Sequence, residues 1–174
     1  MTPDHARLVL RPVTLDDVGL MAANLVAGLA TYRSFAPPGW EPPTAEHEAE
    51  RIRPRVAGGA WGRLALDGDD VAGHVLFVPA VDLPDGAHLA ALFVAEPWWG
   101  SGLASRLLGL AVAEMRRQGY RLARLYTPAG QARARRFYER EGWWALPDVV
   151  PEPGLGLDLV EYRLALRRAP PRTR

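Results

Sequence analysis

Leu89-Ala-Ala-Leu-Phe-Val-Ala-Glu-Pro-Trp-Trp-Gly-Ser-Gly-Leu-Ala-Ser-Arg-Leu-Leu108 reads as a buried strand, a bulky corner, a Gly-Ser-Gly turn and the first turns of an amphipathic helix. A helix that starts just after glycines leaves its first backbone N–H groups without partners and carries the positive end of the peptide dipole there. Such a terminus holds anions, phosphate above all. The stretch therefore predicts a phosphorylated ligand seated on Gly100, Ser101, Gly102, Leu103 and Ala104.

The rest of the chain narrows the choice of ligand. Its 174 residues, 48% apolar and 24% charged, suit one globular domain over residues 1–166, followed by a basic tail, 167–174, expected to be disordered. A net charge of +1 gives no reason to expect a nucleic-acid partner. No apolar run is long enough for a membrane span or a signal peptide, which points to a cytoplasmic protein without a membrane partner. With no cysteine there is no disulfide, thiolate zinc site or cysteine nucleophile, and no metal is implied. All 21 basic residues are arginine. The missing lysine removes a Walker-type phosphate loop and any Schiff-base mechanism.

Strand and helix patterns alternate along the chain, as in a mixed α/β sheet. Strands are expected over 8–13, 60–66, 71–79, 87–94 and 121–127, from Trp144 onward, and over 157–166. Helices are expected from the Thr14 cap to about Tyr32, from Thr44 to Gly58, over 103–118 and over 131–141. The third should bury Leu103, Leu107, Leu110, Ala111, Val112 and Met115. The proline-rich run Ser34–Pro43 is a loop.

Gly100-x-Gly102-x-x-Ser105 nearly matches the dinucleotide fingerprint. Its third glycine is a serine, it lies beyond mid-chain, and no acid follows where a ribose partner is needed, since the chain there reads Tyr120-Arg-Leu-Ala-Arg124. A different pattern fits better. Gly100-Ser-Gly-Leu-Ala104 resembles motif A of the GNAT superfamily of N-acetyltransferases, Arg/Gln-x-x-Gly-x-Gly/Ala after a bulged strand. Gln131-x-x-Ala134-x-x-x-Tyr138-x-x-x-Gly142-Trp143 looks like that family's Asn-x-x-Ala-x-x-x-Tyr-x-x-x-Gly-Phe segment, and Leu10-Arg-Pro-Val-Thr-Leu-Asp-Asp17 is similar to its first strand and helix start. Two departures stand out. Trp98 and Trp99 lie where motif A usually begins with arginine or glutamine, and Gln131 replaces the usual asparagine.

The resemblance implies a twisted, mostly antiparallel sheet of about seven strands with a central splayed pair, flanked by about four helices. It implies acetyl-CoA as cosubstrate, its pyrophosphate on the amides of Gly100 to Ala104, with Trp99, Gln131 and Arg135 nearby. Pantetheine would run beside Leu92, Phe93 and Val94, where the N–H of Phe93 or Val94 steadies the oxyanion. Tyr138 would serve as the acid toward the departing sulfur; read without the family it is a core aromatic. His88 falls where the family often places a glutamate base, and reads otherwise as a strand histidine without a task. His74 is a second candidate, while His5 and His47 read as surface residues.

The acceptor, a small-molecule or peptide amine, is expected among the first two helices, the Ser34–Pro43 loop and the final hairpin. Tyr32, Trp40 and Trp143 are its expected contacts, with Phe35, Trp98 and Trp144 as further aromatics and Glu41 and Asp82 as acids. The arginines Arg133, Arg135, Arg136 and Arg140 read as a solvated face that can reach the CoA 3′-phosphate. A homodimer is left open. The alternative is a non-catalytic acyl-CoA-binding or sensing module on the same fold.

Overall fold

The computed structural model describes residues 5–166, so the expected disordered tail lies outside the described residues. Seven strands form one sheet: β1 Val9–Pro12, β2 Trp61–Asp67, β3 Asp70–Pro79, β4 Gly86–Val94, β5 Leu122–Pro128, β6 Trp144–Glu152 and β7 Leu157–Ala165. They lie in the order β1-β2-β3-β4-β5-β7-β6. Every neighbouring pair is antiparallel except β4–β5. The helices are α1 Val18–Ala30, α2 Ala45–Ala57, α3 Leu103–Arg117 and α4 Ala132–Arg140.

Two apolar layers sandwich the sheet. On one face α3 buries Leu103, Leu107, Leu108, Ala111, Val112 and Met115 with Tyr138 of α4 and the inward residues of β3, β4, β5 and β7. The expected stripe is corrected at one position: Leu110 is exposed and Leu108 takes its place, because successive turns of a 3.6-residue helix carry the buried side through 103, 107–108, 111–112 and 115. Each fully buried leucine contributes about 1.5–3 kcal/mol. On the opposite face α1 and α2 pack Met21, Leu25, Leu29 and Ile52 on Leu64, Leu76 and Ala91.

Local chemistry fixes the helix starts. The Thr14 N–H and hydroxyl both donate to Asp17 Oδ2 (2.8 and 3.0 Å), and Arg11 grips the same carboxylate with two bonds of 2.8 and 2.7 Å. The Arg11 guanidinium, helped by Thr14, holds the Asp17 carboxyl down at about 2. The hydroxyl oxygen of Thr44 caps α2 by accepting from the His47 N–H.

The strand that matters most is β4. Its register against β3 slips between Leu89 and Ala91, leaving Ala90 as the extra residue of a bulge. Leu89 packs on the α3 side, and Ala91 then faces α1 and α2. Toward β5 only Gly86, Ala87 and His88 are paired. Beyond His88 the two parallel strands part, leaving a wedge-shaped gap along Leu89 to Val94.

Candidate active site

The corner after β4 builds the first wall of the site. Glu96–Trp98 form one 3-10 turn, and Gly100 and Gly102 adopt φ of +75° and +91° before α3 begins. A Cβ at either glycine would meet nothing within 4 Å, so the left-handed backbone, and not crowding, is what requires glycine there. The Ser101 hydroxyl donates to Trp98 O, and its oxygen accepts from the Leu103 N–H at 3.2 Å. The Arg106 N–H donates to Gly102 O. The N–H groups of Gly100, Gly102, Ala104 and Ser105 have no protein acceptor among the described residues. They form a nest of positive backbone dipoles at the α3 terminus.

The second wall is the open edge of β4. The Ala95 N–H donates to Ala72 O at 2.9 Å, which sets the phase of the antiparallel ladder with β3. By its alternation Phe93 pairs with His74, and Val94 turns its own N–H and C=O into the gap. The Trp99 indole N–H donates to Val94 O at 2.8 Å. What stays free at that residue is the Val94 N–H.

The third wall is α4. Gly28, Thr31, Tyr32, Leu92 to Val94, the Trp98–Ser105 corner and α4 enclose a groove of about 490 Å³. Among the described residues its ionisable side chains besides the tyrosines are Arg133, Arg136 and Arg140, and none of the described carboxylates lines it. The Tyr138 ring is buried in the α3 layer, yet its hydroxyl makes no hydrogen bond among the described residues and borders the groove. Burial raises this phenol well above its ordinary range, and neighbouring Tyr32 pushes in the same direction. Tyr32, pushed up to about 12 by burial, stands at the same end of the groove beside Gln131.

The structure thus brings Leu92, Phe93, Val94, Trp99, Gly100, Gly102, Ala104, Gln131, Tyr138 and Tyr32 to one groove. Ser101 and Leu103 shape the turn from behind, with Leu103 fully buried in the α3 layer. Arg135 faces away: its guanidinium bonds Tyr162 Oη and Ala129 O, so the cations on the groove are its neighbours in sequence. Trp143 is corrected from an acceptor contact to a core residue, 3% exposed and packed on Tyr138, because Gly142 turns the chain inward before β6. Trp40 stacks on Tyr32 and donates to Leu155 O at 2.7 Å, tying the loop after α1 to the last hairpin.

The histidines separate clearly. His88 is the last residue of β4 paired to β5, at the closed vertex of the gap, with Tyr126 beside its ring. It does not line the groove. Burial, then Arg124 and Arg55, push it down to about 4. His74 is fully buried behind Phe93, its Nδ1 2.9 Å from Asn24 Nδ2, and burial pushes it to about 4 as well. His5 is not a free surface residue, since its ring meets Trp98 edge-on and its Nε2 is buried. Glu41 and Asp82 are taken by ion pairs with Arg33 and Arg124.

A second cleft, of about 440 Å³, opens beyond the wall made by Phe35 and Gly130. A Cβ on Gly130 would lie 2.5 Å from the Phe35 ring, so glycine is needed for that close approach. Phe35 and Pro37 line the cleft with Pro128 to Gly130, Pro151 to Pro153 and Gly156 to Asp158, and its charges among the described residues are Glu152 and Asp158. These two acids, with Thr31 and Gly28, are residues that sequence reading did not single out, and Ser105 was read only as a fingerprint position. Ser105 was within reach as a first-turn residue of α3, whereas the others join the site only through tertiary packing.

The family model described as the acetyltransferase (GNAT) family matches residues 27–143. Among solved structures, a GNAT-family protein from Desulfovibrio desulfuricans is 27% identical, with a TM-score of 0.71, covering 92% of this chain and 99% of that one. The ribosomal-protein-S18-alanine N-acetyltransferase from Escherichia coli is 17% identical, with a TM-score of 0.67 and coverage of 96% and 99%. A protein from Salmonella typhimurium solved with its cofactor acetyl-CoA is 19% identical, with a TM-score of 0.67 and coverage of 94% and 96%. Among curated proteins none matches.

Proposed function

Given that the chain belongs to the GNAT acetyltransferase family, we propose that it transfers the acetyl group of acetyl-CoA to a primary amine by direct attack in a ternary complex. One observation carries this reading. The groove joins a nest of free amides and three arginines at one end to an unpaired phenol and a free strand N–H at the other. That is a receptor for a long ligand with an anionic head and a neutral reactive tail.

The chemistry assigns tasks to this chain's own residues. The amides of Gly100, Gly102, Ala104 and Ser105 receive the pyrophosphate. Leu92 to Val94 offer pantetheine the edge that β5 abandons, as an added strand would use it. The Val94 N–H faces the gap and donates to the thioester oxygen as negative charge gathers there. The amine nitrogen forms its bond to the acetyl carbon, the carbon–sulfur bond breaks, and the amine gives up a proton. Tyr138 donates its proton to the sulfur as it departs and regains one from solvent through the open groove; burial keeps the phenol neutral between turnovers.

The carboxylates of the second cleft draw a cationic amine to this side of the molecule, just as the arginines of the groove attract phosphate. Its proton leaves toward the vertex of the gap, where His88 is the neutral imidazole at hand. A pKa near 4 keeps the His88 lone pair available across the neutral range but makes it a weak base, and it lies six residues along β4 from Val94, so a chain of waters carries the proton to it.

A thermal-shift panel of acetyl-CoA, NAD and S-adenosylmethionine tests the ligand assignment. Acetyl-CoA at 100 times its Kd should add about 2.7 kcal/mol of stability, and the other two little. A shift with NAD or S-adenosylmethionine and none with acetyl-CoA would contradict it.

A further inference from the structure

We propose that Trp99 and Arg133 act as one unit, an indole platform that holds a guanidinium over the amide nest so that it pairs with the pyrophosphate of the cosubstrate. The inference rests on the acetyl-CoA reading above. Trp99 is the residue three before Gly102, and it cannot offer phosphate a donor because its indole N–H is already given to Val94 O. That bond instead fixes the ring plane. The Arg133 guanidinium lies over this ring, 3.9 Å from its centroid. Arg133 has no carboxylate partner among the described residues, and both side chains line the groove.

The three groove arginines are not equivalent. Arg140 lies 3.9 Å from Glu141 and over Phe137. Arg136 has no ring beneath it among the described residues. Arg133 alone is held against the corner that carries the nest. An unpaired guanidinium resting on an aromatic face keeps its N–H edges free while losing little freedom on binding an anion. The charge thus reaches the cradle from helix α4, with Trp99 as its support. Trp99 acts as a positioning residue and Arg133 as the binding one.

Calorimetry with acetyl-CoA and with acetyl-dephospho-CoA tests this on the wild-type protein, Arg133→Ala, Arg133→Lys, Trp99→Ala and the Ala/Ala double variant. Arg133→Ala should weaken both ligands about tenfold, and the gap from wild type should narrow in high salt. Arg133→Lys should recover part of the loss. Trp99→Ala should weaken binding as well, and the double variant should be no weaker than the worse single one. Melting temperatures should stay near wild type, since both side chains lie at the surface.

Unchanged affinity in Arg133→Ala overturns the proposal. So does a loss seen with acetyl-CoA but not with acetyl-dephospho-CoA, which would move the contact to the 3′-phosphate. Additive losses in the double variant would show that Trp99 does not support Arg133. Failure of the wild-type protein to bind either ligand would instead remove the acetyl-CoA reading itself.

Discussion

Tyr138 condenses the account into one atom. Its ring belongs to the core and its hydroxyl to the groove, so Tyr138→Phe removes the proton donor while leaving the packing in place. Turnover should fall about 100-fold or more, with acetyl-CoA affinity nearly unchanged in calorimetry. His88 makes a sharper pH statement. A base active only when deprotonated, with its pKa near 4, gives turnover that rises through about pH 4 and is flat across the neutral range. An ordinary imidazole would place that limb near 6.5. In His88→Ala the limb near 4 should vanish from the pH–rate profile; if it survives, the proton leaves by another route. Tyr138 was legible from its spacing to Gln131 and Gly142. The vertex position of His88 was not, because it depends on where β5 stops pairing with β4.

At the scale of elements, the Gly-Ser-Gly turn and the bulge of β4 do different jobs. Gly102 sits at φ +91° with empty space around its missing Cβ, so Gly102→Ala strains the backbone without a clash. It should cost about 1–2 kcal/mol in denaturant unfolding and weaken acetyl-CoA binding severalfold as the free amides tilt. The turn and the start of α3 were readable from residue type alone, since glycine marks left-handed φ and the leucine period marks the buried side. The bulge at Ala90 was not. Nothing in Leu89-Ala-Ala-Leu distinguishes a bulged strand from a regular one until Leu76 and Phe77 set the register. Arg135 shows a similar limit. One position along a nine-residue helix separates a groove cation from one tied to Tyr162, and sequence spacing without a known neighbour cannot fix that rotation.

In the whole molecule, two neutral histidines packed against the sheet make stability depend on pH. His74 and His88 are held near 4 when folded and titrate near 6.5 when unfolded. Between those values the unfolded chain binds more protons, so stability is full above about 6.5 and declines as the pH falls toward 4. Urea unfolding should show a loss of a few kcal/mol from about pH 7 to about pH 5. His74→Leu should reduce that loss; an equal loss in the variant would assign it elsewhere. The seven-strand, four-helix plan was legible because period-2 and period-3.6 patterns alternate cleanly between glycine and proline stops. The acidic cleft was not, since Phe35, Gly130 and Asp158 meet only once α1, β5 and the last hairpin close around one another.

Acetyl transfer to an amine is tested with a panel of cationic amines and amine-terminated peptides. With acetyl-CoA present, thiol release and the mass of each acceptor are followed together. Thiol release should depend on one class of amine, be matched by a single added acetyl group on its nitrogen, and fall about 100-fold or more in Tyr138→Phe. Tight acetyl-CoA binding with no amine acetylated across the panel would contradict acetyl transfer and leave a binding module on the same fold.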